Sequence, residues 1–212
     1  MKIFDELVNN YPELEGCQVD LEHAFKIMVE SFRNGGKLLV CGNGGSASDA
    51  LHIVGELMKG FMLNRPLPIE AQQKLLLSSP DNGEHLIRHL QGALPAISLV
   101  SEVSLISAFA NDVDPQMVFA QQVYGLGRPG DVLLAISTSG NAANVVYAVQ
   151  VAHVFDLRTI GLTGPSGGLM KSLCDATICA PGEYTIAIQE RHLPIYHALC
   201  LALEQEFFAQ GK

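Results

Sequence analysis

His52 and Glu56 are the two side chains in this sequence whose types and spacing most directly suggest chemistry. They stand four residues apart, shortly after a glycine-rich stretch, in a segment patterned as a helix from about Ser46. On a helix, this spacing places both side chains on one face, about one turn apart. A histidine beside a carboxylate can transfer protons or bind a divalent metal ion. Because the same pair is common on solvated helix surfaces, further polar groups must decide between these interpretations.

A glycine-rich loop precedes this helix. Residues 42–45 (Gly-Asn-Gly-Gly) follow an apolar run at 37–41 that is typical of a buried strand. Glycines let the backbone approach a ligand closely, and free N–H groups at residues 46–49 would favour an anion. Glycine at such a junction can also serve the turn alone. The loop therefore predicts an anion site, with a purely steric role as the alternative.

Three consecutive hydroxyl side chains follow another apolar run. Ser137, Thr138 and Ser139 stand at the end of a predicted strand at 131–137, ahead of a predicted helix. A hydroxyl at this position can cap the helix or donate a hydrogen bond to a phosphate oxygen. Because three hydroxyls exceed what one cap needs, the stretch favours phosphate binding.

Polar side chains also interrupt the apolar C-terminal helix predicted over residues 186–208. Gln189, His192 and His197 lie in this helix, where amide and imidazole groups need hydrogen-bonding partners. They either complete a site with the earlier histidine and glutamate or are satisfied by backbone carbonyls. Pro194 is expected to kink the helix or to mark its first turn.

Two other polar pairs carry weaker signals. Asn111 and Asp112 follow a helix-like run and either contact sugar hydroxyls, accept a proton or form a turn. His85 and His89 have the spacing of a zinc-binding pair, but two histidines alone make no metal site, so a solvated helix face is expected. They lie in an extended insertion predicted at 62–95, which is punctuated by turn residues.

The elements that must position these residues follow an alternating pattern. Apolar runs separated by helix-patterned segments predict an α/β fold with a parallel sheet and helices on both faces, in which ligands bind at the carboxyl ends of the strands. We expect one domain over residues 1–212, with an N-terminal helical segment at 1–34. The predicted strands are residues 37–41, 96–100, 131–137, 159–163 and 176–180.

Composition excludes several functional classes. The 212 residues are 48% hydrophobic, which is enough for one well-buried core. A net charge of −9 leaves no basic excess to neutralise nucleic acid, so direct nucleic-acid binding is not expected. Neither a signal peptide nor an apolar run of membrane-spanning length is visible, so we expect a cytoplasmic protein without a membrane partner. Five cysteines without CxxC spacing indicate reduced packing residues.

Taken together, these motifs resemble those of phosphoheptose isomerases, a family within the sugar isomerase (SIS) domain proteins. The resemblance covers residues 35–207 apart from the insertion. It implies a flavodoxin-like five-stranded sheet, a homotetramer with sites between subunits, and conversion of sedoheptulose 7-phosphate to D-glycero-D-manno-heptose 7-phosphate. The motifs are GNGGSAxDAxHxxxEL at 42–57, Asn111-Asp112, LGRPGDVLLAISTSGN at 126–141, GLTGxxGG at 161–168 and IQExHxxxxH at 188–197.

The resemblance also implies roles for individual residues. One zinc ion would be bound by His52, Glu56, Gln189 and His197, with Glu56 and His197 exchanging protons. Moving a carbonyl between C1 and C2 needs a base, an acid and an electrophile, which these groups supply. On one continuous helix Gln189 and His197 stand about 12 Å apart along the axis, so one metal ion reaches both only if their side chains lean together, the helix bends or different subunits contribute. Substrate contacts are implied at Asn43, Gly44, Gly45, Glu56, Asn111, Asp112, Ser137, Thr138, Ser139 and Gln189.

The sequence departs from the family pattern at three positions. Ala142 stands where the family has a serine, and Ile186 and Ala187 stand where it has an Asp-Arg pair. The loss of a phosphate contact and of a charged neighbour leaves isomerisation of a different phosphosugar open. A second alternative is a non-catalytic adaptor of the same superfamily that binds the bacterial replication initiator. In that adaptor the positions of Glu56 and His197 lack acid–base groups, whereas both groups are present here.

Overall fold

A five-stranded parallel sheet forms the centre of the computed structural model, which describes residues 2–209. The strand order is β2-β1-β3-β4-β5, and all four neighbouring pairs are parallel. This flavodoxin-like order confirms the predicted fold class, and its switch point lies between β1 and β3. Strand ends differ from the predicted ones by no more than two residues. The strands are β1 (Leu38–Gly42), β2 (Ala96–Ser98), β3 (Val132–Ser137), β4 (Arg158–Thr163) and β5 (Ala176–Cys179).

Helices cover both faces of the sheet. One face is covered by the helices of residues 2–33, the first helix after β1 and the C-terminal helix. The other face is covered by the helices of residues 103–173. The helices are α1 (Lys2–Asn10), α2 (Gln18–Arg33), α3 (Gly45–Met58), α4 (Ile69–Ser78), α5 (Gly83–His89), α6 (Val103–Asp112), α7 (Val118–Leu126), α8 (Ala143–Val154), α9 (Met170–Leu173) and α10 (Thr185–Phe208), with 3₁₀ turns at Pro12–Cys17 and Pro115–Met117.

The two faces of the sheet have separate hydrophobic cores because side chains alternate along each strand. In β1, Leu38 and Val40 pack with α2, α3 and α10, whereas Leu39 and Cys41 pack with α7 and α8. All five residues of this strand are buried. Continuous burial explains why the central strands are unbroken apolar runs in the sequence rather than alternating ones.

The C-terminal helix α10 runs without a break through Pro194. The interpretation in which this proline marks the first turn is therefore wrong, since the helix starts nine residues earlier, at Thr185. Tertiary packing overrides the lost backbone hydrogen bond, because Ile195 and Leu199, just beyond the proline, are buried in the core. None of the helices within residues 2–209 is long and apolar enough to cross a membrane.

The segment at residues 62–95 contains two of the helices, α4 and α5. Its start is attached to α10 by a buried ion pair, in which Arg65 Nε donates to Glu204 Oε1 at 2.8 Å. His85 and His89 are both exposed on α5, as expected, with ring centres 4.2 Å apart. His89 Nδ1 lies 2.7 Å from the carbonyl oxygen of His85.

Candidate active site

A cavity of about 340 Å³, which we call the anion cavity, lies at the carboxyl ends of β1 and β3, next to the switch point of the sheet. The glycine loop after β1, the hydroxyl loop after β3 and the first turns of α10 form its walls. Seven of the predicted substrate-contacting residues line it together, although they come from three distant parts of the chain. Its lining is Asn43, Gly44, Gly45, Ser46, Ile136, Ser137, Thr138, Ser139, Ala142, Thr185 and Gln189.

Glycine is required in the first loop for two reasons. Gly44 has a φ of +56°, which favours glycine. A Cβ on Gly45 would lie 2.5 Å from Gln189 Nε2, so only glycine lets this amide rest against the start of α3. One expectation needs correction: the N–H groups of residues 46–48 already donate to the carbonyls of Asn43 and Gly44. The N–H groups of Gly44 and Gly45 form no such hydrogen bond within residues 2–209 and can bind an anion.

The hydroxyl loop stabilises its own turn and presents hydroxyl groups to the cavity. Ser139 Oγ accepts a hydrogen bond from the N–H of Asn141 at 3.1 Å within the loop, whereas α8 itself has no side-chain cap. Ser137 Oγ lies 3.4 Å from Ser139 Oγ, which is a long contact. Accepting a hydrogen bond leaves the Ser139 O–H free, so each of the three hydroxyls in the cavity lining can donate to a phosphate. Ala142 adds a methyl group to the same wall.

The glycine pair at the end of the GLTGxxGG motif supports this loop. A Cβ on Gly140 would lie 2.0 Å from Gly167 O, so the two backbones touch where a side chain cannot fit. The N–H of Met170 donates to the carbonyl of Gly140 at 3.1 Å, and that of Leu169 donates to Asn141 Oδ1 at 2.9 Å. The motif thus holds the hydroxyl loop in place and leaves its side chains facing the cavity.

Asn144 is a site residue that the sequence analysis missed. Its side-chain amide exchanges two hydrogen bonds with that of Asn43, at 2.8 and 2.9 Å, and so fixes the orientation of Asn43 at the cavity wall. The available signal was a second asparagine three residues after Asn141 at the start of a helix. That signal is weak, because only the tertiary structure shows which loop faces it.

Asn111 and Asp112 do not line the anion cavity. They are the last two residues of α6, both are exposed, and Asn111 Nδ2 donates to Asp112 Oδ1 at 2.8 Å. Ala110, which precedes them, lines a second cavity of about 340 Å³ that shares Asn43 and Gly44 with the first. The pair therefore lies beside this cavity rather than inside it.

An acid–base cluster lies further along α3 and α10. His52 Nε2 lies 3.3 Å from Glu56 Oε1, and the rings of His52 and His197 are 5.0 Å apart. Lys59 Nζ donates to the other oxygen of Glu56 at 3.0 Å, and the Tyr196 hydroxyl lies 3.0 Å from His52 Nδ1. Neither Lys59 nor Tyr196 was singled out by the sequence analysis. The i, i+3 spacing of Glu56 and Lys59 was the available signal for the lysine.

Burial is the largest influence on the pKa of His197 in this cluster and on that of nearby Asp49. It lowers the pKa of His197 below that of an ordinary imidazole; nearby His52 lowers it further, and Glu56 acts in the opposite direction. Burial raises the pKa of the Asp49 carboxyl, although a hydrogen bond with Tyr196 and the nearby His52 oppose this. At neutral pH, His197 is therefore a neutral imidazole, the form that accepts a proton or binds a metal ion.

Three of the four predicted metal ligands lie in this cluster. His197 Nε2 is buried and has no hydrogen-bond partner among the described residues, as expected for an atom that binds a ligand. Imidazole nitrogens and a carboxylate are groups that zinc accepts. Within residues 2–209, no group of three or more His, Cys, Asp or Glu side chains is placed so that it could hold a metal ion. Gln189 lies against Gly45 instead, so the four-ligand set stays a prediction.

Comparisons with known proteins agree on one family. The model of the SIS domain family matches residues 14–88 and 86–164. A phosphoheptose isomerase of Akkermansia muciniphila is 34% identical, covering 95% of this chain and 93% of its own length. That of Thiobacillus denitrificans is 38% identical, covering 96% of each chain.

Solved structures give the same result. The phosphoheptose isomerase of Neisseria gonorrhoeae has a TM-score of 0.73 and 34% identity, covering 95% of each chain. That of Francisella tularensis has a TM-score of 0.76 and 32% identity, covering 95% of this chain and 94% of its own. The match therefore includes both the fold and the segments that carry the site.

Proposed function

Because the chain belongs to the phosphoheptose isomerase family of SIS domain proteins, we propose that it interconverts sedoheptulose 7-phosphate and D-glycero-D-manno-heptose 7-phosphate. At the coarser level it is a sugar-phosphate isomerase. The observation that carries the proposal is the placement of the anion cavity and the acid–base cluster on the same two helices. Gly45 contacts Gln189 at one end, and His52 contacts His197 further along.

The separation of these two regions fits a long sugar phosphate. Helix α3 advances seven residues from Gly45 to His52, and α10 advances eight residues from Gln189 to His197. Each advance corresponds to about 10–12 Å along the helix axis. An extended chain advances about 1.2 Å per bond, so C1 and the phosphorus of a heptulose 7-phosphate, eight bonds apart, lie about 10 Å apart. The corresponding distance in a pentulose 5-phosphate is about 7 Å. A heptulose 7-phosphate is therefore long enough to reach between the two regions.

Phosphate binding and proton transfer are divided between the two regions. The Ser137 and Thr138 hydroxyls and the free N–H groups of Gly44 and Gly45 would hold the phosphate and fix the sugar chain. Glu56 would take the proton from the carbon next to the carbonyl and return it to the neighbouring carbon. Neutral His197 would move a proton between the two oxygens, so that carbonyl and hydroxyl exchange places.

We also propose a zinc site at His52, Glu56 and His197. A carboxylate or imidazole held on zinc is a poorer base, so Glu56 and His197 would each serve either as a ligand or in proton transfer, not as both at once. When bound, zinc would supply Lewis acidity at the carbonyl oxygen. Gln189 would join the same ion only if a second copy of the chain places its α10 nearby. Metal analysis of protein purified without chelator tests the site. Metal content that is unchanged in both His52→Ala and His197→Ala variants would rule out this ligand set.

A homotetramer in the cytoplasm is the assembly that we propose. An apolar groove of about 400 Å³ lies between α1 and α10, and His197 is part of its lining together with Ile3, Leu7 and Leu201. Covering this groove with another subunit would bury apolar surface directly beside the acid–base cluster. Light scattering of the active protein is the test. A fully active, monodisperse monomer would contradict a site shared between subunits.

The decisive experiment for the isomerase is hydrogen exchange at the carbon next to the carbonyl. In deuterated water, wild-type protein should incorporate deuterium into sedoheptulose 7-phosphate, and Glu56→Gln should lower that rate by a factor of about 10² to 10⁴. Glu70→Gln, on the exposed surface of α4, is the matched control and should behave as wild type. Exchange by Glu56→Gln at the wild-type rate would remove Glu56 as the base.

A panel of ketose phosphates separates the alternatives. We expect kcat/KM to be highest with seven carbons and lower with six and five. A maximum on a shorter sugar would favour an isomerase of a different phosphosugar, which the methyl group of Ala142 in the cavity wall permits. No exchange by wild-type protein with any of these compounds would favour the non-catalytic adaptor.

A further inference from the structure

We propose that Asn144 is a positioning residue for phosphate binding, which holds the side-chain amide of Asn43 so that one of its N–H groups is aimed at the anion cavity. The inference rests on the phosphate site of the proposed function. It assigns a role to a side chain on α8 that lies outside every motif of the family resemblance and outside the lining of the anion cavity.

The two amides lie at the boundary between two cavities. Asn43 follows β1 and lines both the anion cavity and the second cavity, whereas Asn144, the second residue of α8, lines only the second. Asn43 Nδ2 donates to Asn144 Oδ1 at 2.8 Å, and Asn144 Nδ2 donates to Asn43 Oδ1 at 2.9 Å. The two side chains therefore form one cyclic amide pair between the loop after β1 and the start of α8.

The backbone around Asn144 is held in place on both sides. Val145 and Val146, the next two residues of α8, are buried in the core on this face of the sheet. Three residues before Asn144, the side-chain oxygen of Asn141 accepts a hydrogen bond from the N–H of Leu169 at 2.9 Å. Because the start of α8 is fixed in this way, Asn144 can hold the amide of another loop in one orientation.

Pairing decides which polar groups Asn43 has left for a ligand. A primary amide has two N–H donors and an oxygen with two lone pairs. The cyclic pair uses one N–H and one lone pair of Asn43 and leaves the others on opposite edges of the amide. Reversing both amides together would keep both hydrogen bonds and exchange these edges. Because the oxygens of an ionised phosphate accept hydrogen bonds, phosphate selects the arrangement in which the N–H faces the anion cavity.

This role differs from a purely structural one. Asn43 is exposed, so water could satisfy its amide if the pair were absent, and the pair adds little to the stability of the fold. Among residues 2–209, no charged side chain lines either cavity, so an anion here depends on hydrogen-bond donors. Donors that are already oriented bind more tightly because less freedom is lost on binding. Losing Asn144 should therefore weaken phosphate binding without slowing proton transfer.

Asn144→Leu removes the amide and keeps a similar side-chain volume. We expect the KM for sedoheptulose 7-phosphate and the Kd for inorganic phosphate to rise about 3- to 10-fold, the contribution of one hydrogen bond, with kcat nearly unchanged. Gln150→Leu, which replaces an exposed amide on the same helix, is the matched control and should bind phosphate as wild type does. Urea unfolding should give both variants nearly the wild-type midpoint.

Asn144→Asp tests the amide pair itself. A protonated carboxyl can replace the amide, because its O–H donates to Asn43 Oδ1 and its carbonyl oxygen accepts from Asn43 Nδ2. An ionised carboxylate cannot donate, so one of its oxygens would face Asn43 Oδ1 and the pair would open. Inorganic sulfate is the probe, because its charge does not change across the ordinary titration range of an Asp carboxyl. Relative to wild type at the same pH, sulfate affinity should be lowered at about pH 7 and restored at about pH 4.

Asn144→Leu separates positioning from charge repulsion, because it loses the pair without gaining a charge and should bind sulfate weakly at both pH values. Weak binding by ionised Asn144→Asp alone, with wild-type affinity in Asn144→Leu, would mean repulsion only and would overturn the proposal. So would an Asn144→Asp variant that does not recover at low pH, or wild type that binds neither anion. The isomerase function is decided separately by deuterium exchange in wild type.

Discussion

Replacing Arg65 by methionine is expected to lower the free energy of unfolding by about 3–5 kcal/mol, because a buried carboxylate loses its charge partner. Arg65 and Glu204 are 0% and 1% exposed. The guanidinium donates to Glu204 at 2.8 Å and to the carbonyls of Leu57 and Glu56 at 2.8 and 3.0 Å. Methionine offers no donor, so the carboxylate and two carbonyl oxygens would all lose partners.

The remaining donors to Glu204 limit the size of the loss. The backbone N–H groups of Phe61, Met62 and Leu63 donate to its two oxygens at 2.8 to 3.1 Å. They would still stabilise the carboxylate, so the cost stays far below that of an isolated buried ion. The aliphatic stem of methionine can also keep part of the contact with Phe208, whose ring centre lies 4.6 Å from the arginine Cζ.

Urea unfolding at one protein concentration is the assay, and the expected result is a lower midpoint with an unchanged m-value. Arg33→Met is the matched control, because Arg33 is 61% exposed and pairs with Glu206 on the surface. Surface ion pairs contribute about 0–1 kcal/mol. If Arg65→Met lowers the unfolding free energy no more than Arg33→Met does, the argument from burial is refuted.

Two further predictions concern pH and substrate binding. Burial acts to raise the pKa of Glu204, but the N–H donors of residues 61 and 62 and Arg65 outweigh it and hold that pKa below its ordinary value. The stabilisation from this lowered pKa is complete above the unfolded-state pKa of the carboxyl and is lost as pH falls through the lower folded-state pKa. Between about pH 7 and 3, the urea midpoint of wild type should therefore fall more than that of Glu204→Gln. Equal falls in the two midpoints would contradict this prediction. Ser137→Ala should raise KM more than it lowers kcat, because in the proposed site this hydroxyl binds phosphate and transfers no proton; steady-state kinetics that show the opposite split would exclude that role.

Local sequence patterns determined the sheet and much of the site. The buried strands are continuous apolar runs, so their positions followed from the order of apolar residues along the sequence. The i, i+4 spacing of His52 and Glu56 placed these two side chains on one face of α3. The glycine and hydroxyl loops follow β1 and β3. Ligands were expected at the carboxyl ends of the parallel strands, and both loops line one cavity there.

The tertiary structure alone decided which side chains from distant segments meet. Gln189 and His197 belong to one motif, yet α10 packs along α3 so that Gln189 contacts Gly45 and His197 contacts His52. The partners Tyr196, Asn144 and Glu204 likewise depend on how helices and loops pack together. Hydrophobic periodicity specifies which face of a helix is buried, but it does not specify how far one helix slides along another. That sliding position decides which polar groups become neighbours.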